Sequence, residues 1–144
     1  MKDKEYEKYE KDCKKIKKNN EKLMGYFILY LDEANKSEKT IEKHLYNVDF
    51  YINDFLLYYE AVPANKGYNC LMDFFGGFFI RKCMWSTPAS MKVFITSLKQ
   101  FYTCMHKIGE ITQEELKDVT STIKLFKSEW IEAVEDYNNQ DFDW

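Results

Sequence analysis

One stretch of the sequence combines charged and hydroxyl side chains at helical spacing. Lysines and threonines recur there at steps of three or four positions: Lys92, Thr96, Lys99, Thr103 and Lys107. Such steps place side chains on one face of a helix. Ammonium groups supply positive charge and hydroxyls supply short hydrogen bonds, which is the chemistry that phosphate contacts require. The stripe is therefore a candidate phosphate-binding surface, with an ordinary solvated helix face as the alternative.

The charge of this region differs from that of the whole chain. Residues 74–109 contain no Asp or Glu, although the chain of 144 residues carries a net charge of −3. Residues 1–22 hold nine lysines and six acids, whereas residues 110–144 hold three lysines and ten acids. A pI near 5.5 argues against strong non-specific binding of DNA by the chain as a whole. A local basic face remains compatible with these numbers.

The stripe requires a helix to position it, and the local sequence predicts one over 86–108. Thr87-Pro88 is suited to a first helical turn, and Gly109 is suited to a helix end. A second, apolar stripe along the same segment predicts burial of the opposite face: Met91, Phe94, Ile95, Leu98, Phe101, Tyr102 and Met105.

Composition predicts an all-α protein with one core. Apolar residues make up 45% of the chain and aromatic residues 17%, whereas there are only five glycines and two prolines. Ser37 is a candidate N-cap for a helix that begins near Lys39, and Thr112-Gln113-Glu114-Glu115 has the pattern of a capping box.

No apolar run is long enough to span a membrane, and residues 1–12 lack the apolar centre of a signal peptide. We therefore expect a cytoplasmic location and no membrane partner.

The chain divides by pattern into four segments. Residues 1–22 predict a charged helical arm, and residues 23–111 predict a four-helix domain. Residues 112–137 predict an acidic helix packed on or beside that domain, and 138–144 form a tail. Large apolar side chains at this acidic end are candidate partner-binding residues: Trp130, Phe142 and Trp144.

The sequence offers no metal or cofactor site. The four cysteines form no C-x-x-C pair, and neither His44 nor His106 is spaced to complete a zinc site. Free, mostly buried thiols and no cofactor are expected. No nucleophile motif is present either, so enzymatic activity is not expected.

Two groups of residues within 23–111 resemble a known family. The first is Phe27-x-x-Tyr30-Leu31 followed by Lys36-Ser37-x-x-Thr40-Ile41. The second runs from Thr87-x-x-Ser90 through Leu98-Lys99-x-Phe101-Tyr102 to Gly109-x-Ile111. In this order they resemble the core-binding, SAM-like domain of tyrosine recombinases, the phage integrase family. The resemblance implies an orthogonal bundle of two helical hairpins. It also implies that the second and fourth helices contact DNA, mainly through phosphates.

Carried over to this sequence, the resemblance identifies candidate residues on both helices. Those on the second helix are Lys39, Thr40, Lys43 and His44. Those on the fourth are Ser90, Lys92, Thr96 and Lys99, the helix that also carries the lysine–threonine stripe with Thr103 and Lys107. Double-stranded DNA is the implied partner, with a homo-oligomer or a recombinase as further expected partners.

The chain also departs from this family. Its enzymes use a tyrosine nucleophile with two arginines at the scissile phosphate, whereas Arg81 is the only arginine here. Strand cleavage is therefore not expected. The interpretation is a non-catalytic DNA-associating module of the kind used in DNA integration and recombination. A protein–protein interaction or oligomerisation module on the same helical fold is the alternative.

Overall fold

The structure is a computed structural model that describes residues 3–83 and 86–140. These residues contain six α-helices: α1 Lys4–Glu33, α2 Glu38–Asp49, α3 Leu71–Asp73, α4 Phe79–Lys82, α5 Pro88–Lys107 and α6 Gln113–Asn138. Wider turns of the π type extend α2 over Phe50–Phe55 and join α3 to α4 over Phe74–Phe78, and a 3-10 helix covers Ala64–Asn69. No strand occurs within the described residues, so the prediction of an all-α fold is confirmed. The crossed arrangement of two hairpins stays a prediction.

Hydroxyl side chains cap the N-termini of three of these helices. Backbone N–H groups of the first turns donate hydrogen bonds to the side-chain oxygens of Ser37, Thr87 and Thr112. Such caps satisfy amide groups that a helix leaves without a backbone partner. Gly109 follows α5 with φ of +83°, a conformation that glycine adopts without steric cost. These caps and this helix end lie where the sequence predicts them.

The first helix is continuous from Lys4 to Glu33 and crosses the boundary that the sequence predicts between a charged helical arm over 1–22 and the four-helix domain. The Asn20 side chain is buried and donates to the carbonyl oxygen of Ile52 at 3.3 Å and to Oδ1 of Asn53 at 2.8 Å. The Tyr9 hydroxyl donates to the carbonyl oxygen of Leu57. The N-terminal half of α1 therefore packs along the π-type extension of α2 and the residues after it.

Two buried tyrosines hold the 3-10 helix against the core. The Tyr51 hydroxyl donates to the carbonyl oxygen of Gly67 at 2.7 Å, and the Tyr102 hydroxyl donates to that of Ala64 at 2.9 Å. A Cβ atom added to Gly67 would lie only 2.5 Å from Cδ1 of Leu56. Glycine is therefore needed at this position because the Leu56 side chain fills the adjacent space.

The acidic helix α6 packs on α5 and contributes to the core. The ring of Trp130 lies 5.0 Å from that of Phe75 and is only 3% exposed. Its prediction as a partner-binding residue is therefore wrong, because burial against Phe75 leaves almost no surface for a partner. The other two residues of that prediction, Phe142 and Trp144, lie outside the described residues.

Candidate nucleic-acid interface

An open groove of about 930 Å³ runs between α2 and α5. Six of the ten candidate residues from the two helices line it: Lys39, Thr40, Lys43, His44, Lys92 and Thr96. Glu42, Tyr46 and Val93 complete its walls. Two segments that lie some fifty positions apart in the sequence thus contribute to one surface.

A buried serine fixes the distance between the two helices beneath the groove. Ser97 of α5 is fully buried, and its Oγ accepts a hydrogen bond from Nδ2 of Asn47 at 3.1 Å. The same Oγ lies 2.6 Å from Nδ1 of His44 and 3.0 Å from the carbonyl oxygen of Val93. Because buried polar groups require partners, this cluster ties α2 to α5 in one register.

Ser97 and Asn47 were not among the residues predicted to form the site. The one available signal was the position of Ser97, which follows Phe94 by three residues and precedes Phe101 by four, so that it lies on the apolar face of α5. A serine on such a face is buried and needs a hydrogen-bond partner. The identity of that partner depends on which helix packs there, and periodicity within one helix does not contain this information.

His44 lies at the floor of the groove and holds the two helices together. Its residue is only 6% exposed, so little of its surface is left for the phosphate contact that the resemblance implies. Burial lowers the pKa of its imidazole below 6.5, and the nearby positive charge of Lys36 lowers it further. A serine has a single hydroxyl proton. When Ser97 donates that proton to the Val93 carbonyl oxygen, neutral His44 donates from Nδ1 to Oγ of Ser97.

This lowered pKa predicts that the folded state becomes less stable as the pH falls. Below the pKa that His44 has in the unfolded chain, the unfolded chain binds a proton more readily than the folded chain does. Protonation therefore favours the unfolded state, and the contribution of neutral His44 to stability is lost as the pH falls. We expect the free energy of unfolding to decrease more steeply from pH 7.5 to 5.5 in the wild type than in His44→Gln. Urea unfolding followed by circular dichroism at both pH values measures the difference. Equal slopes in the two proteins would contradict this assignment.

The groove carries an excess of positive charge. Lys39, Lys43 and Lys92 line it together with a single acid, Glu42. Among residues 3–83 and 86–140, no carboxylate lies within ion-pair distance of these three lysines. Their ammonium groups are therefore available to an anionic ligand.

The threonine hydroxyls are less available than the lysines. The Thr96 hydroxyl donates to the carbonyl oxygen of Lys92 at 3.1 Å, and the Thr103 hydroxyl donates to that of Lys99 at 2.7 Å. A threonine that bonds its own helix in this way must turn its hydroxyl before it can donate to a phosphate. The lysines of the stripe therefore supply most of its attraction for anions.

The other candidates on α5 lie outside the groove. The Ser90 hydroxyl takes part in the capping box with Thr87 at the start of the helix. At the other end, Nζ of Lys107 lies 3.9 Å from Oε2 of Glu33 and 5.7 Å from the centre of the Tyr30 ring. Lys107 is thus close to an acidic and an aromatic side chain of α1, and Lys99 is the remaining lysine of the stripe.

Two of the four thiols, those of Cys83 and Cys104, are buried, whereas those of Cys13 and Cys70 are partly exposed. All four cysteines are free, as predicted, and burial raises the pKa of both Cys83 and Cys104 to about 11. Such thiols stay protonated and are poor nucleophiles at neutral pH.

No group of three or more His, Cys, Asp or Glu residues in the described part of the chain is arranged to hold a metal ion. A search of the same residues finds no helix with the length and apolar character that a membrane crossing needs.

No protein-family model, curated protein or solved structure matches this chain. The resemblance to the core-binding domain of tyrosine recombinases therefore stays a prediction that depends on the motifs of α1, α2 and α5. Any function has to be argued from the groove between α2 and α5.

Proposed function

We propose that the chain is a non-catalytic DNA-binding module that holds the backbone of double-stranded DNA in the groove between α2 and α5. One observation carries the proposal: two separate helices bring Lys39, Lys43 and Lys92 to one surface with a single acid among its lining residues. A cytoplasmic location agrees with free thiols in a chain of this size.

The chemistry of the groove favours contacts with phosphates over contacts with bases. Lysine is a point charge on a flexible stem, whereas arginine forms the bidentate pairs that identify guanine. The single arginine of the chain, Arg81, is absent from the groove lining. We therefore expect weak affinity, little sequence preference and a strong dependence on salt.

The proposal includes no cleavage of DNA. A recombinase needs two arginines at the scissile phosphate, and Arg81 is alone in the sequence. The protonated thiols of Cys83 and Cys104 offer no alternative nucleophile. Binding is thus the activity that these residues support.

The test is fluorescence anisotropy of a labelled duplex of mixed sequence, titrated with the full chain at several salt concentrations. Three lysine–phosphate contacts predict a plot of log K against log salt with a slope of about −3, since each contact contributes about −0.9. Lys92→Ala should bring that slope closer to zero by about one. The matched control is Lys124→Ala, because Lys124 is an exposed lysine on α6. This variant should leave the slope unchanged.

Two results would count against the proposal. One is the absence of any anisotropy change at about 50 μM protein in low salt. Non-specific binding of DNA has a dissociation constant of about 1–100 μM at physiological salt, and the binding is tighter in low salt. The other is a slope that changes equally in Lys92→Ala and Lys124→Ala, because the contacts would then not be localised to the groove.

A further inference from the structure

The outer face of α1 exposes apolar side chains that no other part of the described chain covers. The inner face of this helix buries Leu23, Phe27 and Leu31 in the core. Opposite them, Leu29 is 60% exposed, and on the two flanks of the helix Tyr26 and Ile28 are each 42% exposed. Gly25 lies among these residues, and a Cβ atom added there would meet nothing within 4 Å. The middle of this face is thus apolar, with a glycine that allows another backbone to approach closely.

Charge is distributed unevenly along the same helix. Residues 11–22 contain six lysines and two acids, whereas residues 23–33 contain Asp32 and Glu33 and no basic residue. Positions 18, 22, 25, 29 and 32 follow alternating steps of four and three, which places them on one line along the helix. This line has Lys18 near one end, Gly25 in the middle and Asp32 near the other end, and all three are exposed.

We propose that this face of α1 binds the same face of a second copy of the chain, with the two helices antiparallel and the two-fold axis beside Gly25. Lys18 and Asp32 each lie seven residues from Gly25, which corresponds to about 10.5 Å along the axis at 1.5 Å per residue. An antiparallel pair centred on Gly25 therefore places Lys18 of each copy beside Asp32 of the other. The two-fold symmetry produces this contact twice, once for each copy.

The alternative arrangement of two α1 helices is unfavourable. A parallel pair would place the six lysines of residues 11–22 in each copy against the same lysines of the other copy. Like charges that face each other destabilise an association. In the antiparallel pair Leu29 of each copy lies opposite Lys22 of the other, because these positions are four and three residues from Gly25. The missing Cβ of Gly25 lets the two backbones approach, so that Leu29 packs on the aliphatic stem of that lysine. Apolar contact and charge thus favour the same geometry.

Sedimentation velocity of the full chain from about 5 to 500 μM tests the proposal, and a dimer that forms with concentration is expected. Lys18→Asp should raise the dissociation constant at least about tenfold, because the symmetry converts two attractive contacts into two repulsive ones. Asp32→Lys should do the same. The double variant Lys18→Asp/Asp32→Lys restores both pairs with exchanged signs, and its dissociation constant should return to within about threefold of the wild type. Lys124→Asp on α6 is the control for net charge.

The register is tested by cross-linking. Gly25→Cys should give a disulfide-linked dimer under mild oxidation, because both copies of position 25 lie at the two-fold axis. Lys18→Cys should not, because the two copies of position 18 are about 21 Å apart in the antiparallel pair. A chain that stays monomeric to 500 μM would overturn the proposal, as would a double variant that remains as weak as Lys18→Asp. Neither experiment contains DNA, so both are independent of binding in the groove.

Discussion

Replacing Phe74 with alanine should lower the free energy of unfolding by about 3–5 kcal/mol, the usual cost of removing a buried phenylalanine. Phe74 is fully buried, and its ring centre lies 4.9 Å from that of Phe55 and 4.9 Å from that of Phe94. The ring of Tyr51 meets it edge-on at 5.1 Å. These rings come from the extension of α2 and from α5, so the cavity would open where three parts of the chain meet.

Urea unfolding followed by circular dichroism measures this effect. Leu125→Ala is the control, because Leu125 is 71% exposed on α6 and a surface truncation should change the free energy by less than about 0.5 kcal/mol. A change below about 1 kcal/mol in Phe74→Ala would mean that the surrounding rings collapse into the cavity.

Much of the fold could be predicted because it is encoded in local patterns. The apolar stripe of α5 lies inside, and the caps at Ser37, Thr87 and Thr112 begin the helices that they were predicted to begin. Periodicity and capping depend on residues within one or two turns, which a single sequence shows directly. The same locality explains why the lysine–threonine stripe of α5 is visible in the sequence, whereas the candidates on α2 depend on the resemblance to the recombinase domain.

The remaining features depend on which elements pack together. Asn20 appears in the sequence as part of a charged helical arm, yet it is buried because the extension of α2 supplies the partners of its amide. Trp130 appears as an apolar group on an acidic helix, yet it is buried because Phe75 lies beneath it. His44 resembles a surface residue until Ser97 is placed opposite it. In each case the deciding contact lies far away in the sequence, where helical periodicity has no influence.

The second large effect is expected from reversing two charges in the groove. Lys43 and Lys92 line it from α2 and α5 respectively, and both are exposed. We expect Lys43→Glu/Lys92→Glu to weaken duplex binding at low salt at least about hundredfold, because two attractions for phosphates become repulsions. Fluorescence anisotropy with the duplex used for the wild type measures the loss. Circular dichroism should show unchanged helix content, since neither lysine takes part in an ion pair within the described residues.

The decisive comparison is with Lys124→Glu/Lys127→Glu on α6. These two lysines are also exposed. Both double variants shift the net charge by −4, so the long-range repulsion between protein and DNA increases equally in the two proteins. A hundredfold loss in the groove variant alone would locate the phosphate contacts between α2 and α5. Equal losses in both variants would mean that DNA responds only to the total charge of the chain, and the groove would then need a different ligand.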